Sequence, residues 1–293
     1  VMGDSLKAEK PEPWATYSPD STWIVYAKNH NLFLSSSDTS DTTEHQLSVD
    51  GERWFSYQWS QGDTTSEKKL RARVQWFDDE KKFYVLRTDN RKVDELWVIN
   101  SLGKRPSLET FKYAMPGDEE VGIDYVEIFD VETKLRVIMD TDQWEDQNLS
   151  VDFNDVATGD FNGRSSEVIY IERLNRAASE FEILKGNTTT GQTEVVISER
   201  SEPYWNWRFQ EVAPINNGNE YIWWSERSGW GHFYRYDAEG KLKNQITSGN
   251  FVAGELVKID TTGQTLYFLG YGRDGDHPYN AHLYSARFDG SRF

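Results

Sequence analysis

Short apolar runs, set between clusters of Asp, Asn, Gly and Thr, recur along the whole chain, and helical periodicity is scarce. That pattern predicts many short strands. The turn Ser18-Pro19-Asp20 leads into Trp23-Ile24-Val25-Tyr26, and Asn31-Leu32-Phe33-Leu34 follows as a second strand. Asp78-Asp79-Glu80 leads into Phe83-Tyr84-Val85-Leu86, followed by Glu95-Leu96-Trp97-Val98-Ile99. A third copy runs from Asn162-Gly163 through Val168-Ile169-Tyr170-Ile171 to Phe181-Glu182-Ile183-Leu184. A fourth runs from Asn217-Gly218 through Tyr221-Ile222-Trp223-Trp224 to His232-Phe233-Tyr234-Arg235-Tyr236. The fifth runs from Thr262-Gly263 through Leu266-Tyr267-Phe268-Leu269 to His282-Leu283-Tyr284-Ser285.

The step between paired strands is short in the first copy (Ile24 to Leu32) and twice as long in the last (Tyr267 to Leu283). Constant strands with variable loops, repeating every roughly 40 to 60 residues, are the mark of a radial or stacked repeat. A solenoid of helix pairs would need a 3.6-residue period that the sequence lacks. The predicted fold class is all-β: a partial β-propeller of about five to six four-stranded blades. It is read as one propeller domain or fragment over residues 1–293, with blade-like units at about 15–50, 71–139, 151–198, 207–248 and 255–293. Blades are covered on both faces, so their central strands read as continuous apolar runs rather than strict alternation. Large rings fill the wedges between twisted blades, and most aromatic residues are expected there.

Composition narrows the function. The chain holds 32 Lys+Arg against 49 Asp+Glu, for a net charge of −17, with 12 Trp, 15 Tyr, 15 Phe and no Cys. Such a polyanion lacks the basic footprint that nucleic-acid phosphates require. The absence of Cys excludes disulfides, thiolate metal sites and a cysteine nucleophile. No run approaches the roughly 18 apolar residues of a membrane span. The opening residues, Val1-Met2-Gly3-Asp4-Ser5, carry no apolar core of a secretory leader.

Several strings are more specific. Trp224-Ser225-Glu226-Arg227-Ser228-Gly229-Trp230-Gly231-His232-Phe233-Tyr234-Arg235-Tyr236 continues to Gln245-Ile246-Thr247-Ser248-Gly249-Asn250. Arg173-Leu174-Asn175-Arg176, Tyr17-Ser18-Pro19-Asp20 and Tyr113-Ala114-Met115-Pro116-Gly117-Asp118 accompany it. Together, in this order, they resemble the N-terminal propeller of the dipeptidyl peptidase IV family of prolyl oligopeptidase-group serine peptidases. The resemblance implies a propeller, eight-bladed in the family, that funnels and anchors peptides for a C-terminal α/β-hydrolase domain bearing a Ser-Asp-His triad. It also implies an extracytoplasmic location, periplasmic or secreted. No Gly-x-Ser-x-Gly nucleophile elbow occurs in these residues. The chain is therefore expected to lack the hydrolase domain and to be inactive alone, with no catalytic residue of its own.

The family binds a substrate's free ammonium through two adjacent glutamates just before the second blade. Here that stretch reads Arg53-Trp54-Phe55-Ser56-Tyr57-Gln58-Trp59-Ser60-Gln61-Gly62, leading to Trp76, without the pair. Glu119-Glu120 lies after the second blade's strands and does not match the position. Release of dipeptides is thereby placed in doubt. In Ser201-Glu202-Pro203-Tyr204-Trp205-Asn206-Trp207-Arg208-Phe209, the resemblance puts an aromatic–Arg pair on the cavity wall. Trp205, Arg208 and Phe209 are the candidate substrate-binding residues, Arg208 offering paired hydrogen bonds to a carbonyl or carboxylate. Arg208 stacking on a neighbouring Trp, as mere support, is the alternative.

No metal or cofactor is expected. Gly159-Asp160-Phe161-Asn162-Gly163-Arg164 looks like a calcium loop, but Arg164 occupies a ligand position. Asp140, Asp142 and Asp146 lack the Gly and closing Glu of an EF-hand, and residues 272–278 have turn chemistry throughout. His232 and His282 begin equivalent strands, which suits a structural hydrogen bond. The expected partners are a peptide substrate, the C-terminal hydrolase domain and a second copy of the chain, since an open ring leaves blade faces uncovered. The acidic charge biases the funnel towards free or basic N-termini. A glycan-active propeller using paired carboxylates and a non-enzymatic binding scaffold are the alternatives.

Overall fold

The structure, a computed structural model, describes residues 12–59, 68–151, 165–204, 206, 212–216, 218–273, 275 and 277–291. Every regular element among them is a strand, and the chain divides into two compact units, Val1–Met139 and Asp140–Phe293.

In the first unit, β1 (Thr16–Tyr17), β2 (Trp23–Lys28), β3 (Asn31–Ser36) and β4 (Glu44–Gln46) form an antiparallel meander. The β2–β3 turn is tight because Asn29 and His30 both take positive φ, 48° and 66°. That is the two-residue hairpin turn whose twist matches the strands, and Asn favours it. The second sheet takes β5 (Gln75–Trp76) and β6 (Lys82–Asp89), skips β7 (Glu95–Asn100) and β8 (Ser107–Lys112), and resumes with β9 (Ile123–Asp130) and β10 (Arg136–Ile138). This corrects the sequence pairing of Phe83–Leu86 with Glu95–Ile99. β6 pairs with β9, with Phe83 opposite Phe129 and Leu86 opposite Val126, while β7 and β8 make a separate hairpin. Burial explains the choice: Val126, Ile128 and Phe129 are enclosed, whereas Trp97 and Ile99 are 68% and 70% exposed. Val25, Ala27, Leu32 and Leu34 of the first sheet share one core with Phe83, Val85 and Phe129 of the second.

In the second unit, β11 (Asn148–Ser150), β12 (Val168–Leu174), β13 (Glu180–Asn187) and β14 (Thr193–Arg200) form one meander. β15 (Val212–Ile215), β16 (Glu220–Ser225), β17 (His232–Asp237) and β18 (Leu242–Gln245) form the next. β19 (Val252–Asp260), β20 (Thr265–Tyr271) and β21 (Ala281–Arg287) make a three-stranded sheet. All six residues of β16 are buried. Side chains alternate between faces, so such a run needs cover on both. Tyr221 and Trp223 pack with Tyr170, Phe181 and Ile183 of the preceding sheet. Ile222 and Trp224 pack with Leu266 and Phe268 of the following one and with Phe251 just before it. Glu220, at the strand's start, is neutralised by Arg235 at 2.8 Å and by Lys243. The Trp224 ring lies directly over Gly231, where a Cβ would stand 2.2 Å from Cζ2, so glycine is required there.

Candidate functional site

A cleft of about 320 Å³ opens in the second unit between the end of β14 and the β16–β17 turn. Glu199 anchors it from below. Its carboxylate accepts from Trp223 Nε1 at 2.6 Å, from the Ser225 hydroxyl and from Arg227 Nη2. Ser225 Oγ in turn accepts from the Arg227 backbone N–H and Nε, at 3.1 and 3.0 Å. A carboxylate can serve several donors at once, so one glutamate fixes two sheets and the turn. The Arg227 guanidinium also lies 4.7 Å over the Tyr234 ring. Burial opposes its charge, but Glu199 and then Tyr236 together outweigh this and hold Arg227 above its ordinary value.

The rim is polar and mostly acidic. Glu202 and Glu226 are exposed, Asn206 Nδ2 donates to Glu226 Oε1 at 3.0 Å, and Arg200 sits 3.0 Å from Glu180 and 3.6 Å from Glu202. With Arg227 held by Glu199, the rim presents two carboxylates and one guanidinium, an arrangement suited to a cationic or zwitterionic ligand. Trp205, Arg208 and Phe209, the residues expected on the cavity wall, lie outside the described residues. Asn206, between them in sequence, lines the cleft. Sequence reasoning missed Glu199, Glu202 and Arg200. Five Glu and three Arg within residues 199–227 were the available signal.

In the first unit, the stretch before Trp76 holds a different constellation. Tyr57 Oη donates to Glu127 Oε2 at 2.5 Å and accepts from Arg136 Nη1 at 3.0 Å. Arg87 bonds Glu127 through Nε and Nη2, at 3.1 and 2.6 Å, and Asp50 through Nη2 at 2.8 Å. Arg136 reaches the other Asp50 oxygen at 2.8 Å. The Arg87 guanidinium is sandwiched between the rings of Phe55 (3.5 Å) and Tyr57 (4.1 Å). Burial raises the Asp50 carboxyl, yet hydrogen bonds from Arg87 and Arg136 outweigh it and hold it below the usual range. Burial, then the Glu127 charge, pushes the Tyr57 phenol well up, so it stays a donor. Two carboxylates and two guanidiniums balance, leaving no free acid to bind an amine. Glu119 and Glu120 are exposed beyond the Met115–Asp118 turn, with Glu120 3.9 Å from Lys92.

The loop at 159–164 lies outside the described residues, as do Asp274 and Asp276. Among the described residues, no group of three or more His, Asp or Glu is arranged to hold a metal ion, and no helix is long and apolar enough to cross a membrane.

Residues 4–293 match the family model described as the dipeptidyl peptidase IV (DPP IV) N-terminal region. The chain belongs to that family. It is 24% identical over 141 residues to dipeptidyl peptidase 4 of Trichophyton rubrum, covering 46% of this chain and 18% of that protein. It is 28% identical over 78 residues to dipeptidyl peptidase 4 of Arthroderma otae, covering 27% of this chain and 10% of that protein. The chain thus matches a minor part of the length of these curated relatives. Dipeptidyl peptidase 4 of Porphyromonas gingivalis superposes with a TM-score of 0.66 at 18% identity, over 94% of this chain and 37% of that one. That likeness shows the β-propeller fold. The strings that resembled the DPP IV family now have physical roles. Ser225 and Arg227 saturate Glu199. His232 Nδ1 lies 3.1 Å from Thr247 Oγ1 and Nε2 3.0 Å from Gly249 O, closing the turn after β18. Arg173 holds Glu182 and the Thr141 carbonyl, and Asn175 Oδ1 caps the β12–β13 turn by accepting from Ser179 N and Glu180 N. His282 differs from His232: it is exposed, its ring 6.5 Å from Tyr284.

Proposed function

We propose that this chain is the N-terminal propeller of a dipeptidyl peptidase IV-like serine peptidase, gating and anchoring peptide substrates for an α/β-hydrolase domain outside these residues. The observation that carries the reading is the cleft beside β14. Its Glu202 and Glu226 face solvent, where they can hold a peptide ammonium or basic side chain, and Arg200 offers donors to a carbonyl. The net charge of −17 steers cationic peptides towards it. The arginine-saturated carboxylates near Tyr57 replace the missing Glu–Glu pair, so the reading stops at a peptide-cleaving serine enzyme and does not extend to dipeptide release. The same reading makes the chain inactive alone and places the enzyme outside the cytoplasm.

The test is steady-state kinetics of the full-length enzyme carrying Glu202→Gln and Glu226→Gln, on peptides with free or acetylated N-termini. A KM raised roughly tenfold for the free-amine peptide with kcat unchanged is expected, the signature of lost uniform binding. Equal KM values for both enzymes would overturn the reading. A second copy is the further partner in this reading, and the β7–β8 hairpin favours it. Trp97, Ile99 and Leu108 lie on one face of that hairpin and are all more than half exposed.

A further inference from the structure

Residues 69–74 run extended beside the stretch at 57–59, with Trp59 N donating to Arg71 O at 2.8 Å and Gln58 bridged to Ala72. Alternation sends Ala72 and Val74 into the core and Arg71 and Arg73 outward. The register brings both guanidiniums to the Trp59 indole, with Arg71 Cζ 5.6 Å and Arg73 Cζ 5.5 Å from its centroid. Trp59 is 62% exposed. Several cations in this acid-rich unit have carboxylate partners: Lys28 and Lys69 on Glu44, Arg87 and Arg136 on Asp50, Arg91 on Asp89. Among the described residues, Arg71 and Arg73 have none, and their side chains lie against Trp59.

We propose that Arg71, Trp59 and Arg73 form a clamp for an extended acidic peptide segment of Glu-x-Glu type. Alternate residues of an extended chain stand about 6.6 Å apart. The two arginines share that spacing, so carboxylates at alternate positions of a bound strand meet one guanidinium each. Each guanidinium gives a carboxylate paired N–H donors, and stacking on the indole pre-sets its plane. The open indole face covers the aliphatic stems between the carboxylates. A long polyanion such as nucleic acid is a poor occupant, because two guanidiniums on a chain of charge −17 are too small a footprint. The inference goes beyond the proposed peptidase role and uses no residue of the β14 cleft, so either can fail without the other.

Fluorescence anisotropy with fluorescein-labelled Gly-Glu-Ala-Glu-Gly and its Gln counterpart tests it. The Glu peptide binds and the Gln peptide does not, and binding fades between about 0.01 M and about 1 M NaCl as the screening length drops from about 30 Å to about 3 Å. Arg71→Gln/Arg73→Gln weakens it roughly tenfold or more, and Trp59→Ala weakens it less, in proportion to the lost stacking. All three side chains are exposed, so the melting temperature stays at the parent value and loss of fold is separately visible. Equal affinity for the two peptides, or unchanged binding by the double variant, overturns the clamp. A self-associated parent that sediments as a monomer once Arg71 and Arg73 are replaced also overturns it, assigning the pair to a second copy.

Discussion

The indole Nε1 of Trp223 on β16 donates to Glu199 Oε2 on β14 across 2.6 Å, joining two neighbouring sheets through one partly buried carboxylate. The same carboxylate takes up Ser225 and Arg227, so its removal orphans three donors. Glu199→Ala is expected to lower unfolding free energy by about 2–3 kcal/mol, the cost of leaving buried donors unmade. Glu199→Gln keeps shape and one acceptor oxygen, and should cost about half as much. Urea unfolding measures both. A lower midpoint at unchanged slope is the expected outcome, and an unshifted Glu199→Ala midpoint would refute the anchoring role.

Among the described residues of the first unit, Glu127 and Arg87, with side chains 0% and 1% exposed, form the most buried ion pair. Replacing Glu127 leaves the buried Arg87 with Asp50 alone and the Tyr57 hydroxyl without its acceptor. Glu127→Leu is expected to destabilise the protein by about 3–5 kcal/mol, whereas Arg87→Met with Glu127→Leu together should recover most of that, since apolar pairs often replace buried ion pairs without loss. Thermal melts of the single and double variants decide it. Equal loss in both would mean that the stacking of Arg87 on Phe55 and Tyr57, rather than the charge pair, holds the segment.

His232 ties the proton economy to folding. A carbonyl only accepts, so Nε2 carries the proton donated to Gly249 O, and Nδ1 accepts from Thr247, whose oxygen accepts in turn from Phe233 N–H. Burial lowers the His232 pKa below its ordinary 6.5, against a smaller opposing effect of the Gly249 bond. A depressed histidine leaves the unfolded chain binding the proton first, so the stability it supports is present above about pH 6.5 and lost as pH falls below it. His30 shifts the same way, through burial and then the Arg53 charge. Melting temperature should therefore fall from pH 7.5 to 5.5, less steeply in His232→Asn, and nearly flat once His30→Asn is added. An unchanged slope in the double variant would locate the pH effect elsewhere.

The legible part of this fold was what short-range pattern encodes. Tyr221–Trp224 and Ile169–Ile171 announced themselves because both faces of their strands are covered, which leaves no polar position to break the run. The outer strands did not: Glu44–Gln46 and Leu242–Gln245 are polar, and only their ladder partners define them. Glu95–Ile99 misled because an exposed hairpin strand and a blade strand can carry the same residues, and only the competing partner Ile123–Asp130 separates them. The site was harder still. The Asp50, Tyr57, Arg87, Glu127 and Arg136 network draws on four stretches of chain, and no local spacing rule brings them together. Family strings pointed instead at Ser225 and Arg227, whose shared acceptor, Glu199, lies two strands upstream.

The β7–β8 hairpin makes the last prediction. Ile99 stands opposite Leu108 and Trp97 opposite Thr110, so one face of the ribbon carries a contiguous apolar strip, 62–70% exposed at Trp97, Ile99 and Leu108. A two-stranded ribbon is marginal in water unless something packs on it, and large apolar patches mark contact surfaces. A second copy supplies the same strip by symmetry, which suits a self-complementary interface. Trp97→Ser with Ile99→Thr should shift sedimentation from dimer to monomer, weakening association by about 2 kcal/mol or more, the scale of a buried aromatic anchor. The core sheets lie apart from these side chains, so the melting transition of the monomer should survive. A parent that sediments as a monomer at all concentrations, or a variant that still pairs, would move the dimer contact off this hairpin.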